Sequence, residues 1–478
     1  MAVLHWSSPV RKSGTRTLSQ IPNEIYLEIF QHVRSTNPTS WTHPSVKRDL
    51  SSLALVCRFF GSVTLPWIFE ALEFDGDTKR NSSAYQNYAS FCRSILKRES
   101  TARTMAQHVK KCAFASWGLK EDMSHNWCIQ EFLSLYSRSM REMTNIQELS
   151  LVSTPITKDA IKAMPTLQRL ETLVLRDCVL ADDVTDKHLQ KLSSLRLKSL
   201  TVTSKTRDEE DPVDRLWDHI DFSALMNLST TSLPSLQKLV ERQGNLLLEK
   251  LDVIEIDDAV LLSQIFSKTP ALRSLRTRFQ TPFASSSFKL DSKALPRLQR
   301  VEAPLSLLQI IVPKRPVSSI VFWPSPNDSP FYLKIPLWKY FPDLRTLEVR
   351  IDIKVGPKGI PVELLTQKAI SELLWAWPKQ PQLQTLILGH DVNIYLRYSL
   401  DLVMLHKWIS EIIWPKIPTL RKCQFGKFVE WSFCEAASKW KPTILPHTYT
   451  IILDSLKSGR IGYSDYDGYI EGLLSQTD

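Results

Sequence analysis

Glycine is scarce in this chain: 13 in 478 residues, under half the share of an ordinary soluble protein. The phosphate-cradling loops built on it, G-x-G-x-x-G and G-x-x-x-x-G-K-[ST], are absent, as are a G-x-S-x-G nucleophile elbow and an H-E-x-x-H metal pair. Nucleotide binding, ester hydrolysis and zinc proteolysis therefore have no sequence support, and neither a catalytic residue nor a cofactor is expected. No apolar run approaches the roughly 18 residues of a membrane helix. Residues 1–20 carry Arg11, Lys12 and Arg16 but no continuous apolar stretch, so no secretory signal is expected there. Seven cysteines, an odd number at irregular spacing, argue against a disulfide framework and for reduced thiols in cytoplasm or nucleus. A dense basic stripe is also missing from the linear sequence. The net charge of +10 comes from 60 basic and 50 acidic residues interspersed along the chain. That pattern speaks against nucleic-acid binding and tilts the molecule toward acidic partners.

What is present begins at Leu18. Residues Ile21 to Val33 place apolar side chains at 21, 25, 29, 30 and 33, one helical face, with Pro22 in the first turn and Glu24 and Glu28 near the positive helix end. After a polar stretch from Ser35 to Asp49, Leu50, Leu53, Val56, Cys57, Phe60 and Val63 repeat at helical spacing. Pro66 fits the opening of a third helical turn that runs through Trp67 to Phe74. Three helices in under sixty residues bury little by themselves and need neighbours.

This run resembles an F-box. Ile21, Pro22, Glu24, Ile25, Ile29 and Phe30 match its first block, Leu50, Leu53, Val56, Cys57, Arg58 and Phe60 its second, and Trp67 its closing tryptophan. The connection from Ser35 to Asp49 is longer than the usual one. The resemblance implies docking on a Skp-type adaptor, and through it on a cullin-RING ubiquitin ligase. Ile21, Pro22, Ile25, Ile29, Leu53, Val56 and Phe60 would form the docking surface and its support.

A second pattern fills the rest of the chain. The motif L-x-x-L-x-L recurs at Val109, Ile146, Leu170, Leu197, Leu248, Leu272, Leu298, Val317, Leu344, Leu383 and Leu420. From 146 onward the spacings are 24, 27, 51, 24, 26, 19, 27, 39 and 37 residues. Proline turns such as Pro165, Pro270, Pro296, Pro342 and Pro418 precede many copies, and helical stretches such as Ala259 to Ser267 and Lys368 to Trp377 lie between them. One strand with one helix cannot bury its apolar side alone, so the units must stack into a curved parallel sheet with helices outside. The array resembles degenerate leucine-rich repeats. Leu170 to Leu180 fits best, with Cys178 at the asparagine-or-cysteine position. The expected fold is α/β: a disordered arm at 1–17, an F-box-like domain at 18–75, a helical bridge at 76–103, the solenoid at 104–448, and a C-terminal strand and weakly ordered tail at 449–478. Arg207 to Pro212 and Trp323 to Pro330 are expected to be surface loops.

Two residue sets carry candidate chemistry. His108, Cys112, His125 and Cys128 have a spacing that tetrahedral zinc accepts, although Cys112 also fits the repeat as a small buried hydrophobe, so no metal is expected. Strand alternation places Arg176, Ser274, Arg276, Arg278, Thr346, Glu348 and Arg350 on the open side of the sheet. Arg176, Arg276, Arg278 and Arg350 are therefore candidates for holding an acidic or phosphorylated substrate protein. Glu148, Asp252, Glu302 and Glu348 are placed in the same column, which leaves a solvated mixed surface as the plainer reading. By its resemblance the chain would be a substrate-recognition adaptor; a repeat scaffold without a ligase is the alternative.

Overall fold

The computed structural model describes residues 12–13, 16–17, 21–35, 44–76, 88–118, 126–204, 212–242, 244–254, 258–278, 290–322, 343–351, 382–390, 402–426 and 429–445. The helical stretch expected at Lys368 to Trp377, the loops 207–211 and 323–330, the tail 449–478 and most of the arm 1–17 lie outside them. Lys12–Ser13 and Arg16–Thr17 pair as a short antiparallel ribbon. The chain divides into two compact units, Met1–Leu247 and Leu248–Asp478. The helical run and the first coils of the array therefore share one unit.

Three helices open the first unit: α1 Asn23–Ser35, α2 Pro44–Ala54 and α3 Arg58–Glu70. The stretch from Leu50 to Phe60 does not form the one helix that its periodicity suggests. It breaks at Leu55 and Val56, and Cys57 restarts it, its Sγ accepting the Phe60 N–H at 3.5 Å. Pro66 lies inside α3 and does not open a new turn. Nor does the helix continue to Phe74, because Ala71–Asp75 leaves it as strand β1 and pairs with Lys111–Ala115, β2. Phe69-x-x-Leu72-x-Phe74 is itself a copy of the repeat, and sheet pairing overrides local helix preference there.

The sheet of this unit continues through β3 Glu148–Val152, β4 Thr172–Arg176, β5 Ser199–Thr203 and β6 Asn227–Thr230, all parallel and in register. Strand β6 fills the 51-residue gap. Its motif, Leu225-x-x-Leu228-x-Thr230, ends on threonine, and Leu228 pairs with Leu200. The connecting helices α4 Ala89–Leu96, α5 Ser100–Ala106, α6 Asn126–Ser139, α7 Lys158–Ala163 and α8 Asp186–Leu189 form a second layer, in which α6 lies beside both α4 and α7. Thr157 caps α7, its hydroxyl accepting the Ala160 N–H at 3.2 Å. Inward strand residues such as Leu149, Leu173 and Leu200 are buried, while their strand neighbours reach the open side. Helix α9, Leu233–Arg242, closes the unit.

Each of three coils also carries a donor three residues past its last inward strand position, aimed at the equivalent carbonyl of the preceding coil. Trp117 Nε1 donates to Phe74 O at 2.7 Å and Cys178 Sγ to Leu151 O at 3.2 Å, while Thr154 Oγ1 lies 3.3 Å from Phe114 O and 2.8 Å from Val152 O of its own coil. Trp117 and Thr154 thus stand at the same offset in earlier coils as Cys178 does in its own. Buried carbonyls need such partners. Gly76 accommodates the Trp117 turn, since a Cβ there would meet the Ser116 carbonyl oxygen at 2.8 Å.

The second unit repeats the arrangement with β7 Lys250–Ile254, α10 Ala259–Lys268, β8 Ser274–Arg278, β9 Arg300–Glu302, α11 Leu305–Ile311, β10 Ser319–Phe322, β11 Thr346–Ile351, β12 Thr385–His390, α12 Leu402–Lys407 and β13 Lys422–Phe425. Strands β7 to β13 are parallel. Two antiparallel strands, β14 Val429–Cys434 and β15 Lys439–Ile444, finish the sheet. Lys439, Lys441 and Pro442 on the terminal strand discourage further pairing. All eleven motifs read from the sequence are strands, and β1 and β6 add two more. The array is leucine-rich-repeat-like.

Candidate functional surfaces

The first surface is the outer face of α1 with the turn that follows α2. Inside the three helices, Tyr26, Phe30, Phe59 and Phe60 form an aromatic cluster, with ring centroids 4.8 Å apart for Phe30 and Phe60 and 5.1 Å for Tyr26 and Phe60. Val46 and Leu50 are buried in α2. This interior is filled without Ile25 and Ile29, which remain 44% and 48% exposed, or Leu55 and Val56, at 88% and 64%. Burying an aliphatic side chain contributes roughly 1.5–3 kcal/mol, so this unit leaves several such contributions unused. Of the residues expected at the docking surface, Pro22, Ile25, Ile29 and Val56 are exposed, Ile21 and Leu53 are half-buried, and Phe60 belongs to the internal cluster. Leu55, the most exposed of the described large apolar residues, was not among those expected there. It occupies the turn that the helical periodicity conceals.

The helical module joins the sheet without a linker. Glu70 ends α3 and Ala71 begins β1. Lys110 Nζ meets Glu70 Oε1 at 3.0 Å, and Lys47 Nζ donates to Ala71 O at 2.7 Å.

The second surface is the open side of the sheet. In the second unit Arg276 is held between carboxylates of the adjoining strands: Nη1 lies 3.6 Å from Asp252 Oδ2 and Nε 2.8 Å from Glu302 Oε1. Register explains this, because Arg276 faces Asp252 on one side and Glu302 on the other. The guanidinium marked as a substrate contact is thus already neutralised. Arg278 ends β8 opposite Ile254, and Arg350 pairs in register with Gly389; their side chains lie outside the described residues. Arg278 and Arg350 are three strands apart in the sheet. Arg176 is exposed at the end of β4, in the other unit. Asp252, Glu302 and Glu348 share a row, whereas Glu148 sits at an earlier position of its strand, opposite Lys111 and Thr172.

Of the zinc-spacing set, His108 and Cys112 lie among the described residues. Cys112 is fully buried in β2, where desolvation, with Cys92 nearby, pushes its thiol pKa far above the ordinary range. Burial pushes Cys92 up to about 12. The pKa of His108 is lowered by burial and by Lys110. His125 and the side chain of Cys128 lie outside the described residues. Among the described residues, no group of three or more His, Cys, Asp or Glu side chains could hold a metal, and no helix is long and apolar enough to cross a membrane.

No family model and no curated protein matches this chain. Among solved structures it is similar to TLR13 in its complex with ssRNA13, at 13% identity over 68% of this chain and 41% of that one, TM-score 0.30. It is also similar to an internalin, InlF, from Listeria monocytogenes, at 15% identity over 71% and 89%, TM-score 0.25, and to Toll in the Drosophila Toll–Spatzle complex, at 13% identity over 68% and 42%, TM-score 0.31. The chain spans less than half the length of the TLR13 and Toll chains. These likenesses are distant, and the architecture rests on the strand register described above.

Proposed function

We propose that this chain is a substrate-recognition adaptor of an SCF-type cullin-RING ubiquitin ligase, with the N-terminal helices docking a Skp-type adaptor and the repeat array holding a substrate protein. The observation that carries the reading is the exposure of Ile25, Ile29, Leu55 and Val56 on a helical module whose aromatic interior is complete without them. These exposed residues include positions of the F-box-like pattern. The direct passage from Glu70 to Ala71 supports it further, since an adaptor that works by proximity benefits from a docking face fixed to its substrate-holding sheet. In this reading the chain is not an enzyme, needs no cofactor, and acts in cytoplasm or nucleus.

The test is capture of the full chain by purified Skp adaptor, comparing wild type with Pro22→Ala/Ile25→Asp. Both positions are exposed, so the variant is expected to fold, and a carboxylate pressed into an apolar interface should abolish capture. A folded wild-type chain that is not captured overturns the ligase assignment and leaves a repeat scaffold for protein interaction.

A further inference from the structure

The side of the repeat from which chain enters each strand forms a rim, because consecutive turns are bonded to one another: Arg273 N donates to Glu249 O, Gln299 N to Arg273 O, Ser318 N to Gln299 O and Arg345 N to Ser318 O. In Met1–Leu247 the rim lysines at 110, 111 and 198 have carboxylate partners on adjoining elements, while Arg169 and Arg196, at the place in their repeats that Arg297 takes, are exposed and form no ion pair among the described residues. Lys110 meets Glu70 at 3.0 Å, Lys111 meets Glu148 at 2.9 Å and Lys198 meets Glu171 at 2.7 Å. The same holds at the far end of the second unit, where Arg421 meets Glu435 at 3.1 Å and Lys422 meets Glu430 at 2.9 Å.

Between Lys250 and Arg345 this pairing lapses. Lys250, Arg273, Arg297, Arg300 and Arg345 are all exposed, and among the described residues none forms an ion pair. Arg300 faces Ser274 and Ser319, and Lys250 faces Ser274, so register gives them hydroxyls where the first unit gives carboxylates. Glu249 and Asp343 make no ion pair with them, and Asp252 and Glu302, two residues from Lys250 and Arg300, are drawn to Arg276. The five cations lie on or just before strands β7 to β11, a span of about 19 Å at ~4.8 Å per strand.

We propose that this rim, from Lys250 to Arg345, is the recognition site for an acidic segment of a protein partner, bearing either clustered carboxylates or phosphate. The inference deepens the adaptor reading, on which it rests, by naming the substrate's chemistry. Four of the five cations are arginines, whose planar fork matches carboxylate and phosphate oxygens. A nucleic acid fits less well, because the next row on the same face carries Asp252, Glu302 and Glu348 against the single Arg276. A backbone that carries a phosphate at every nucleotide, about 3.4 Å apart along a strand, would be repelled by that row. A polypeptide can present its acidic residues to the rim and other residues to the row beyond.

The experiment titrates the full chain with a fluorescein-labelled oligoglutamate peptide, a phosphoserine peptide of equal length and a single-stranded oligonucleotide, at low and physiological salt. The key variant is Arg273→Glu/Arg300→Glu/Arg345→Glu. The control, Lys158→Glu/Lys187→Glu/Lys191→Glu, makes the same change in net charge in the other unit. At least one peptide should bind in a salt-dependent way and weaken about tenfold or more in the rim variant, while the control changes it less than about twofold. Preference between the two peptides identifies carboxylate or phosphate as the source. Equal loss in both variants, absence of peptide binding, or tighter oligonucleotide binding that the rim variant abolishes would each overturn the proposal. Skp capture by the rim variant separates the two readings: retained capture without peptide binding removes only this one, and specific peptide binding without capture removes only the ligase.

Discussion

Lys111 and Arg300 occupy the same place in their repeats, the first residue of a strand on the open side, yet Lys111 is tied to Glu148 and Arg300 reaches solvent alone. The difference lies in what stands opposite. The repeat sets where a rim side chain emerges, and the identity of the residue on the next coil decides whether its charge is spent. An exposed pair of this kind contributes only about 0–1 kcal/mol, so losing it costs the fold little and leaves a cation for another molecule. A paired and an unpaired rim cation therefore differ much in charge presented and little in stability.

The strongest way to sharpen this contrast is a cation of the second unit that is fully used. Arg315 is 9% exposed and donates from Nε to Ala294 O at 2.8 Å, from Nη1 to Ile311 O at 2.6 Å and Pro313 O at 3.0 Å, and from Nη2 to Asp291 O at 2.7 Å. Arg315→Met should lower unfolding free energy by about 3–5 kcal/mol in urea titration, because these carbonyls lose their donors together. A cost near that of an exposed cation would erase the distinction between structural and free arginines.

Next comes Trp117→Phe, which keeps most of the buried ring and removes the donor to Phe74 O. A loss of ~1–2 kcal/mol is expected, against no measurable change if the coil-to-coil hydrogen bond is incidental. The smallest effects belong to the rim itself. Glu171→Gln, which frees Lys198, should change stability by about 0.5 kcal/mol or less, since both partners are largely exposed. Ser274→Glu, which places a carboxylate opposite both Lys250 and Arg300, should be equally mild by denaturation and should still suppress acidic-peptide binding. A large destabilisation from either change would show that the rim charges are structural.

Much of the fold was legible because leucine spacing is a strong local signal. All eleven motifs, including those led by Val109 and Val317, are strands. The two missed coils carried the same spacing in disguise. Phe69-x-x-Leu72-x-Phe74 is embedded in a helix-forming run, and Leu225-x-x-Leu228-x-Thr230 ends on a polar residue. The break at Leu55 and Val56 could not be read from periodicity, because helical spacing continues across it. The donor role of Trp117 and Thr154 could have been found from their offset, three residues after Phe114 and Leu151, which matches Cys178 after Leu175.

The candidate surface depends on strand alternation and on register. Residue order shows which side chains leave the core, so the expectation of basic residues on the open side of the sheet came from alternation alone. Whether a given arginine is free depends on residues 20 to 50 positions away that register places opposite it, as Asp252 and Glu302 are placed around Arg276. The sequence by itself determined a stacked strand-and-helix array and an amphipathic helical start, because both follow from short-range apolar periodicity. Tertiary structure alone decided which charges cancel and which apolar side chains stay in water, because pairing and burial are properties of neighbours that the chain brings together only on folding.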